Sequence, residues 1–334
     1  MANFDRPERP AREANGAPRG SADLKVKAAW LYYVEGLTQE QVARHLNVSR
    51  LKVLRMLAAC NDEGVVRISI EGETASQVAL ERSLEAQFDL DEVIVVPSPT
   101  DPLATPKMIG HAAAEYISGA IYDGVTVGVG WGATLHQSLG SLARRTTSDV
   151  AVVSLLGGLV RSQWINPSFF AWRMAEAFGA ESFALTAPVY LSDPALRQRL
   201  WQEPQLRALL ERAKAMDLAF VGVGGISESS TVFQHGILPQ SDIASLKRAG
   251  AVADVLCQFV NAEGQLVDHP VNRQVMAIDL DVLKATPKVV LVAGGQDKLA
   301  AIQAALRATG AKVLITDAST AMGLIKQNQA AATA

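Results

Sequence analysis

Four short apolar runs in this sequence end in glycine, and together they could build a binding site. The carboxyl ends of the strands in a parallel sheet lie along one edge, where ligands bind. Glycine at a strand end lets a ligand approach the backbone closely. We therefore expect one ligand cleft rather than four unrelated tight turns. The runs are Val125–Val129, Val150–Leu156, Leu218–Val223 and Val289–Ala293. The third run leads into Gly224.

The loop after the first run contains the most groups that could bind a ligand. A helix is predicted to begin near Ala133, and the free backbone N–H groups at its start suit an anion such as a phosphate. Thr134 adds a hydroxyl, and Trp131 is either a flat wall for a sugar ring or an aromatic core residue. The loop also fits the dinucleotide-binding pattern G-x-G-x-x-A. That pattern requires an acidic residue at the end of the next strand, whereas Asp149 lies at the start of that strand, so a nicotinamide cofactor is disfavoured. The candidate loop residues are Gly128, Gly130, Trp131, Gly132, Ala133 and Thr134.

Two charged side chains elsewhere could complete the cleft. Asp254 lies among apolar neighbours, where it is either an acceptor for sugar hydroxyls or a cap or buried ion pair. Lys298 follows a glycine pair and either binds the anionic group of a ligand or lies at the surface. The five histidines have no metal-ligand spacing, and no nucleophile pairs with a base. We therefore predict no metal site, no cofactor and no catalytic residues.

A second group of residues, Thr38–Leu57, has the spacing of a helix-turn-helix. Asn47 suits the left-handed turn between the helices, and Ser49 is placed to cap the second helix. That helix would bury apolar residues on one side and present Arg50, Lys52 and Arg55 on the other, which fits a DNA major groove. The alternative is a helical hairpin with a solvated basic face.

The segment with the helix-turn-helix has a net positive charge, and the rest of the chain after it has a net negative charge. Residues 21–70 carry seven basic and five acidic side chains, whereas residues 71–334 carry 20 basic and 26 acidic ones. Phosphates would therefore meet the net positive segment. The sequence has 49% apolar residues, which favours a largely globular chain, and no apolar run long enough to span a membrane. Two distant cysteines and the lack of a signal peptide favour the cytoplasm.

The pattern of elements predicts four segments. Residues 1–20 form a disordered tail, and residues 21–72 form the DNA-binding domain. In that domain the first helix is expected to bury Val26, Trp30, Leu31 and Val34, and residues 65–71 to form a small wing strand. Residues 73–90 form a helical linker, and residues 91–334 form an α/β effector domain with a parallel sheet.

Several short stretches together resemble one family, the SorC family of bacterial sugar-responsive regulators, over residues 22–325. In the first domain they are Tyr33–Gln39, Ser49–Val53 and Gly64–Ile68. In the body they are Gly128–Gly132 with Thr134, Asp217–Gly224, Ala253–Leu256, and Gly294–Gly295 with Lys298.

The resemblance implies an effector domain with the sugar-phosphate isomerase (NagB/RpiA-like) fold, used for binding rather than turnover. It also implies a homodimer or homotetramer on a palindromic operator. By position, the loop Gly128–Thr134 would hold a phosphate or sugar, and Thr231, Asp254, Leu256 and Lys298 would line the ligand. Many relatives have a polar or basic residue where Ala133 stands, which makes a free sugar or polyol more credible.

The sequence thus predicts a cytoplasmic transcriptional regulator of a carbohydrate or polyol catabolic operon, controlled by a small sugar, a polyol or its phosphate. Its partners would be double-stranded operator DNA and this effector, with no membrane. The alternative is a sugar-phosphate isomerase or an NAD-dependent enzyme with an appended helical module. The expected DNA contacts are Gln39, Ser49, Arg50, Lys52 and Arg55.

Overall fold

The computed structural model describes residues 21–66, 74–160 and 166–332. The chain divides into two compact units, Met1–Ile70 and Glu71–Ala334. Among the described residues, no helix combines the length and apolarity needed to cross a membrane.

The small unit is a helical cluster whose turns are set by local side chains. Thr38 and Gln41 form a reciprocal capping box, in which the Gln41 N–H donates to Thr38 Oγ1 and the Thr38 N–H donates to Gln41 Oε1. Asn47 ends the second helix in the left-handed region, with a φ of 53°. Ser49 then caps the third helix by accepting a hydrogen bond from the Lys52 N–H. The helices are α1 (Ser21–Ala29), a π-helical turn (Trp30–Val34), α2 (Gln39–Leu46) and α3 (Arg50–Asp62).

The first helix buries a different face from the predicted one. Of the four expected core residues only Leu31 is buried, while Val26, Trp30 and Val34 are exposed, Trp30 by 57%. Ala28 and Ala29 pack against the core in their place. The buried face still keeps helical spacing, because Leu24, Ala28, Leu31 and Tyr32 recur at i, i+4, i+7 and i+8. The prediction chose the neighbouring stripe because its side chains are larger than the alanines that pack in the core. Residues 67–71 of the predicted wing strand lie outside the described residues, and residues 65 and 66 are not in a strand.

The large unit is built on a parallel sheet of seven strands in the order β1-β9-β8-β5-β2-β3-β4. Its strands are β1 (Glu92–Val96), β2 (Thr126–Val129), β3 (Ala151–Ser154), β4 (Glu181–Phe183), β5 (Leu218–Gly222), β8 (Lys288–Val292) and β9 (Val313–Asp317); β6 (Ala253–Val255) and β7 (Gln258–Val260) form a separate hairpin. The four predicted glycine-ended runs are β2, β3, β5 and β8, which are neighbours at the centre of the sheet.

Helices cover both faces of this sheet, which explains why its strands are apolar on both sides. Helices α5 and α7 pack on one face, and α9, α13 and α14 lie in the core on the other. The helices are α4 (Thr74–Phe88), α5 (Thr105–Ala120), α6 (Ala133–Gln137), α7 (Pro167–Phe178), α8 (Pro194–Leu200), α9 (Pro204–Lys214), α10 (Thr231–Gln234), α11 (Ser241–Arg248), α12 (Pro270–Gln274), α13 (Leu280–Ala285), α14 (Leu299–Thr309) and α15 (Ala318–Ala332), with 3-10 turns at Pro102–Ala104, Ser138–Ser141 and Gln296–Lys298.

Helix α4, which we expected as a linker, packs along the edge strand β1. The backbone N–H groups of Val93 and Val95 donate to the carboxylates of Glu85 and Glu81, at 3.3 and 3.0 Å. These side chains satisfy donors that an edge strand would otherwise expose. We infer that α4 is part of the large unit rather than a free connection.

Candidate ligand-binding cleft and candidate DNA-contact helix

A cleft opens at the carboxyl ends of the central strands β2, β5 and β8. It contains about 420 Å³ of atom-free space, some of it open to solvent. Parallel sheets bind ligands at this edge. The cleft is lined by Trp131, Gly132, Ala133, Thr134, Leu135, Gly222, Val223, Gly224, Thr231, Asp254, Leu256, Val292 and Lys298.

The loop after β2 turns sharply into the cleft and continues as the short helix α6. Gly132 has a φ of 132°, which side-chain-bearing residues rarely adopt, so glycine is required there. The loop also passes close to β5, because a Cβ on Gly222 would lie 2.6 Å from the Trp131 carbonyl oxygen. Glycines at 132 and 222 thus allow the backbone to fold over the sheet edge. Helix α6 begins at Ala133, as predicted, and ends at Gln137, where a 3-10 turn follows it.

Two predicted site residues, Gly128 and Gly130, lie outside the cleft lining. A Cβ on Gly128 would lie 2.4 Å from Met216 Sδ, and one on Gly130 would lie 2.9 Å from Leu256 Cδ2. Tight packing of the core therefore explains both glycines. The other nine predicted effector residues surround the cavity.

The β6–β7 hairpin brings Asp254 and Leu256 to the cleft. Its two turn residues, Leu256 and Cys257, have φ values of 53° and 60°, an uncommon conformation for residues other than glycine. The Tyr190 hydroxyl donates to the Cys257 carbonyl oxygen at 2.7 Å, which supports the turn from outside. Gly224 exchanges two backbone hydrogen bonds with Asp254, at 2.8 and 2.9 Å, and so fixes the hairpin against the end of β5.

Asp254 is a buried carboxyl group with free acceptor capacity. Its side chain is 6% exposed, and among the described residues its Oδ1 has no hydrogen-bond partner. Burial raises the pKa of Asp254 to about 7, although a hydrogen bond from the Cys257 backbone N–H and the nearby Lys298 ammonium both oppose this rise. A buried oxygen without a donor is unfavourable, so Oδ1 is an unused hydrogen-bond acceptor in the cleft lining.

Lys298 supplies the cation of the cleft. It stands at the end of the 3-10 turn that follows Gly295, whose φ is 118°. Burial lowers the pKa of the Lys298 ammonium, while Asp297 and Asp254 act in the opposite direction. The cleft therefore holds one group of each sign in a poorly solvated space. Such an arrangement binds polar ligands with defined geometry.

Four lining residues were missed by the sequence reasoning: Leu135, Gly222, Val223 and Val292. Gly222 and Val223 directly precede Gly224, and Val292 lies two residues before Gly294. The strand-end rule that selected Gly224 could have extended to them. No sequence signal marks Leu135 as a lining residue, because its position is that of an ordinary apolar residue in a helix.

The second candidate site is the outer face of α3. Arg50, Lys52 and Arg55 are all exposed there, while Val53, Met56 and Leu57 are buried on the other side. The Ser49 hydroxyl is exposed but already accepts the capping hydrogen bond, and Gln39 begins α2 half-buried. The helix thus presents cations to solvent on a rigidly capped support.

Within the described residues, no cluster of three His, Cys, Asp or Glu side chains could hold a metal ion. A parallel sheet covered on both faces, with a polar cleft at its central strand ends, defines a ligand-binding α/β domain. Residues 73–326 match the family model Sugar-bind, described as "Putative sugar-binding domain". The chain belongs to the SorC family of sugar-binding transcriptional regulators.

The chain is similar to regulators over nearly its whole length. It is 31% identical to the deoxyribonucleoside regulator of Bacillus subtilis, covering 92% of this chain and 98% of that protein. It is 29% identical to the erythritol catabolism regulatory protein EryD of Brucella abortus, covering 91% and 96%. The full-length sorbitol operon regulator SorC of Klebsiella pneumoniae has the same fold, with a TM-score of 0.68 at 24% identity over 91% of this chain and 100% of that one. These relatives are transcriptional regulators, which supports a regulator and not an enzyme.

Proposed function

We propose that this chain represses or activates a carbohydrate or polyol catabolic operon, and that a small sugar, a polyol or its phosphate in the cleft controls its binding to operator DNA. The observation that carries this proposal is the meeting of Asp254, Lys298 and the loop Trp131–Leu135 around one cavity. The names of the relatives support this ligand class. The large unit would have the sugar-phosphate isomerase-like (NagB/RpiA-like) fold, used for binding alone.

The chemistry of the cleft favours a ligand rich in hydroxyl groups. The carboxylate oxygen Oδ1 of Asp254 would accept a hydrogen bond from one hydroxyl, and the Thr134 and Thr231 hydroxyls would bind others. Trp131 borders the cavity but is only 6% exposed and packs in the hydrophobic core, which favours the role of an aromatic core residue over that of a wall for a sugar ring.

A phosphate would have fewer partners here than a free sugar or polyol. Helix α6 spans only Ala133–Gln137, and its first residue contributes no polar side chain. Lys298 remains the main cation in the lining, and the buried Asp254 opposes a second negative charge nearby. We therefore favour a free polyol or sugar over its phosphate.

The small unit, residues 21–72 in our assignment, would bind the DNA as a winged helix-turn-helix. Helix α3 would enter the major groove with Arg50, Lys52 and Arg55 directed at bases and phosphates, and Gln39 and Ser49 would meet the backbone. Exposure of all three cations supports this role.

A homodimer or homotetramer in the cytoplasm would bind a palindromic operator. Two recognition helices must lie about 34 Å apart, or a multiple of one helical turn, to read successive major grooves. A ligand that changes the arrangement of the copies would break this spacing. Such a change would convert sugar binding into a transcriptional response.

The first test is thermal unfolding of the full chain against a panel of pentoses, hexoses, polyols and their phosphates. A ligand that binds only the folded state raises the midpoint temperature by mass action. We expect a rise with one or a few free sugars or polyols. A rise with phosphates alone would move the proposal to a phosphorylated ligand, and no rise with any compound would contradict it.

A further inference from the structure

Helix α7 presents an aromatic surface to solvent. Its inner face is buried against the sheet, but Phe169 is 38% exposed and Trp172 is 51% exposed. With Glu176 they recur at the spacing i, i+3 and i+7, so they form one stripe. Single exposed apolar residues are common on protein surfaces, but two adjacent large rings on one stripe indicate a contact surface.

The stripe is a continuous set of ring and charge contacts. The Phe169 and Trp172 ring centroids are 6.2 Å apart, and the Arg173 guanidinium carbon lies 6.0 Å from the Trp172 ring centroid. Arg173 also pairs with Glu176, at 2.6 Å between Nη1 and Oε2. Tryptophan and arginine are the residue types that most often dominate binding energy in protein interfaces.

The same stripe adjoins the ligand cleft. The His136 ring stacks on Phe169, with centroids 6.3 Å apart and planes 28° from parallel. His136 belongs to α6, and the preceding residues of that helix, Ala133, Thr134 and Leu135, line the cavity. A molecule docked on the α7 stripe would therefore lie one side chain away from the helix that contacts the ligand.

We propose that the α7 stripe, formed by Phe169, Trp172, Arg173 and Glu176, is where a second copy of this chain docks. The inference rests on the proposed function, in which at least two copies read one operator. A two-fold axis places the same surface on both partners, and pairs each residue with a different residue of the partner. With two helices α7 antiparallel across such an axis, Arg173 of each copy meets Glu176 of the other, and the two Trp172 rings lie on either side of these charge pairs.

The charges of the α7 stripe suit a second copy of this chain as its binding partner. A stripe with only cations would repel its own copy, whereas one carrying both signs three residues apart is complementary to itself in the antiparallel arrangement. The exposed rings supply apolar area, and the charged pair sets the direction. The stripe is thus suited to a second copy.

The test measures self-association of the full chain by sedimentation equilibrium across a range of concentrations. Trp172→Ala should weaken association by about tenfold or more, because truncating a central aromatic residue removes most of its contact. Tyr122→Ala is the matched control, since Tyr122 is also an exposed aromatic residue, 58% exposed, but lies outside the stripe. We expect that control to associate like the wild type.

Charge reversal tests the direction of pairing. Arg173→Glu alone and Glu176→Arg alone should each weaken association, and the double substitution R173E/E176R should restore it because opposite charges again meet across the axis. A monomeric wild type, an unchanged association in Trp172→Ala, or a double variant as weak as the single ones would overturn the proposal.

Failure of this inference is distinguishable from failure of the proposed function. If Trp172→Ala associates normally while the sugar panel still gives a thermal shift, the interface lies elsewhere and the proposed function stands. If no compound in the panel binds but Trp172→Ala still dissociates, the interface stands and the ligand assignment fails.

Discussion

The charged side chains of the two candidate sites differ in burial: those of the small unit are exposed, and those of the large unit lie in a cleft. Arg50, Lys52 and Arg55 on α3 project into solvent, whereas Asp254 is almost fully buried and Lys298 is half-buried. Exposed charges are strongly screened by salt, and buried ones are screened much less. DNA binding by this chain should therefore depend on salt, whereas ligand binding should depend on the protonation of Asp254 in the cleft.

The largest expected effect concerns pH. The pKa of Asp254 is raised from 3.8 to about 7 by burial, so the folded state binds this proton more tightly than the unfolded state. Stability is therefore highest below the unfolded pKa and falls as the pH rises from about 4 to about 7, by up to about 4 kcal/mol. Asp254→Asn should remove this part of the decline in chemical denaturation between pH 5 and pH 8.

The control is Asp281→Asn, because the Asp281 side chain is exposed on α13. It should leave the decline unchanged. If wild type and Asp254→Asn show parallel stability profiles, then Asp254 is ionised without penalty and the cleft is better solvated than its geometry indicates.

The next effect concerns Lys298. Lys298→Ala should weaken the affinity for the sugar or polyol found in the panel by about 100-fold, since a half-buried charged partner is lost and Asp254 is left without its cation. Operator binding without ligand should not change. Lys284→Ala, which removes an exposed lysine of α13, is the control for calorimetric titration. Normal ligand affinity in Lys298→Ala would exclude this residue from the site.

The smallest effects concern single cations of α3. Arg50→Ala should cost about 1–3 kcal/mol of specific operator binding if Arg50 reads a base edge, and Lys52→Ala should reduce the salt dependence of binding by about one phosphate contact. Fluorescence anisotropy at several salt concentrations measures both. Lys214→Ala, on α9 of the large unit, should match the wild type; unchanged affinity in Arg50→Ala would remove Arg50 from the contact set.

Local rules predicted the small unit's turns and the centre of the sheet. Thr38, Asn47 and Ser49 act on backbone groups within a few residues, so their roles follow from the sequence alone. The central strands were found because a buried parallel strand is a short apolar run, and glycine marks its end. Asp254 and Lys298 were also selected from the sequence, and the structure brings them to one cavity.

Other features depend on contacts that sequence patterns do not contain. Helical spacing alone did not decide which stripe of the first helix is buried, since the small side chains of Ala28 and Ala29 pack in the core while Val26 and Trp30 are exposed. The left-handed turn at Leu256 and Cys257 contains no glycine to mark it, and it is supported by Tyr190 from 66 or more residues away. Gly128 and Gly130 pack against the core, and their position before the cleft had suggested a ligand contact.

The most direct test of the account is operator affinity with and without ligand, measured by fluorescence anisotropy at one stated salt concentration. The operator is the DNA sequence enriched by in vitro selection with the full chain, and the ligand is the compound that gives the thermal shift. We expect this ligand to change operator affinity by between about 5- and 150-fold, and Lys298→Ala to abolish the change. A ligand that stabilises the protein but leaves operator affinity unchanged would contradict it.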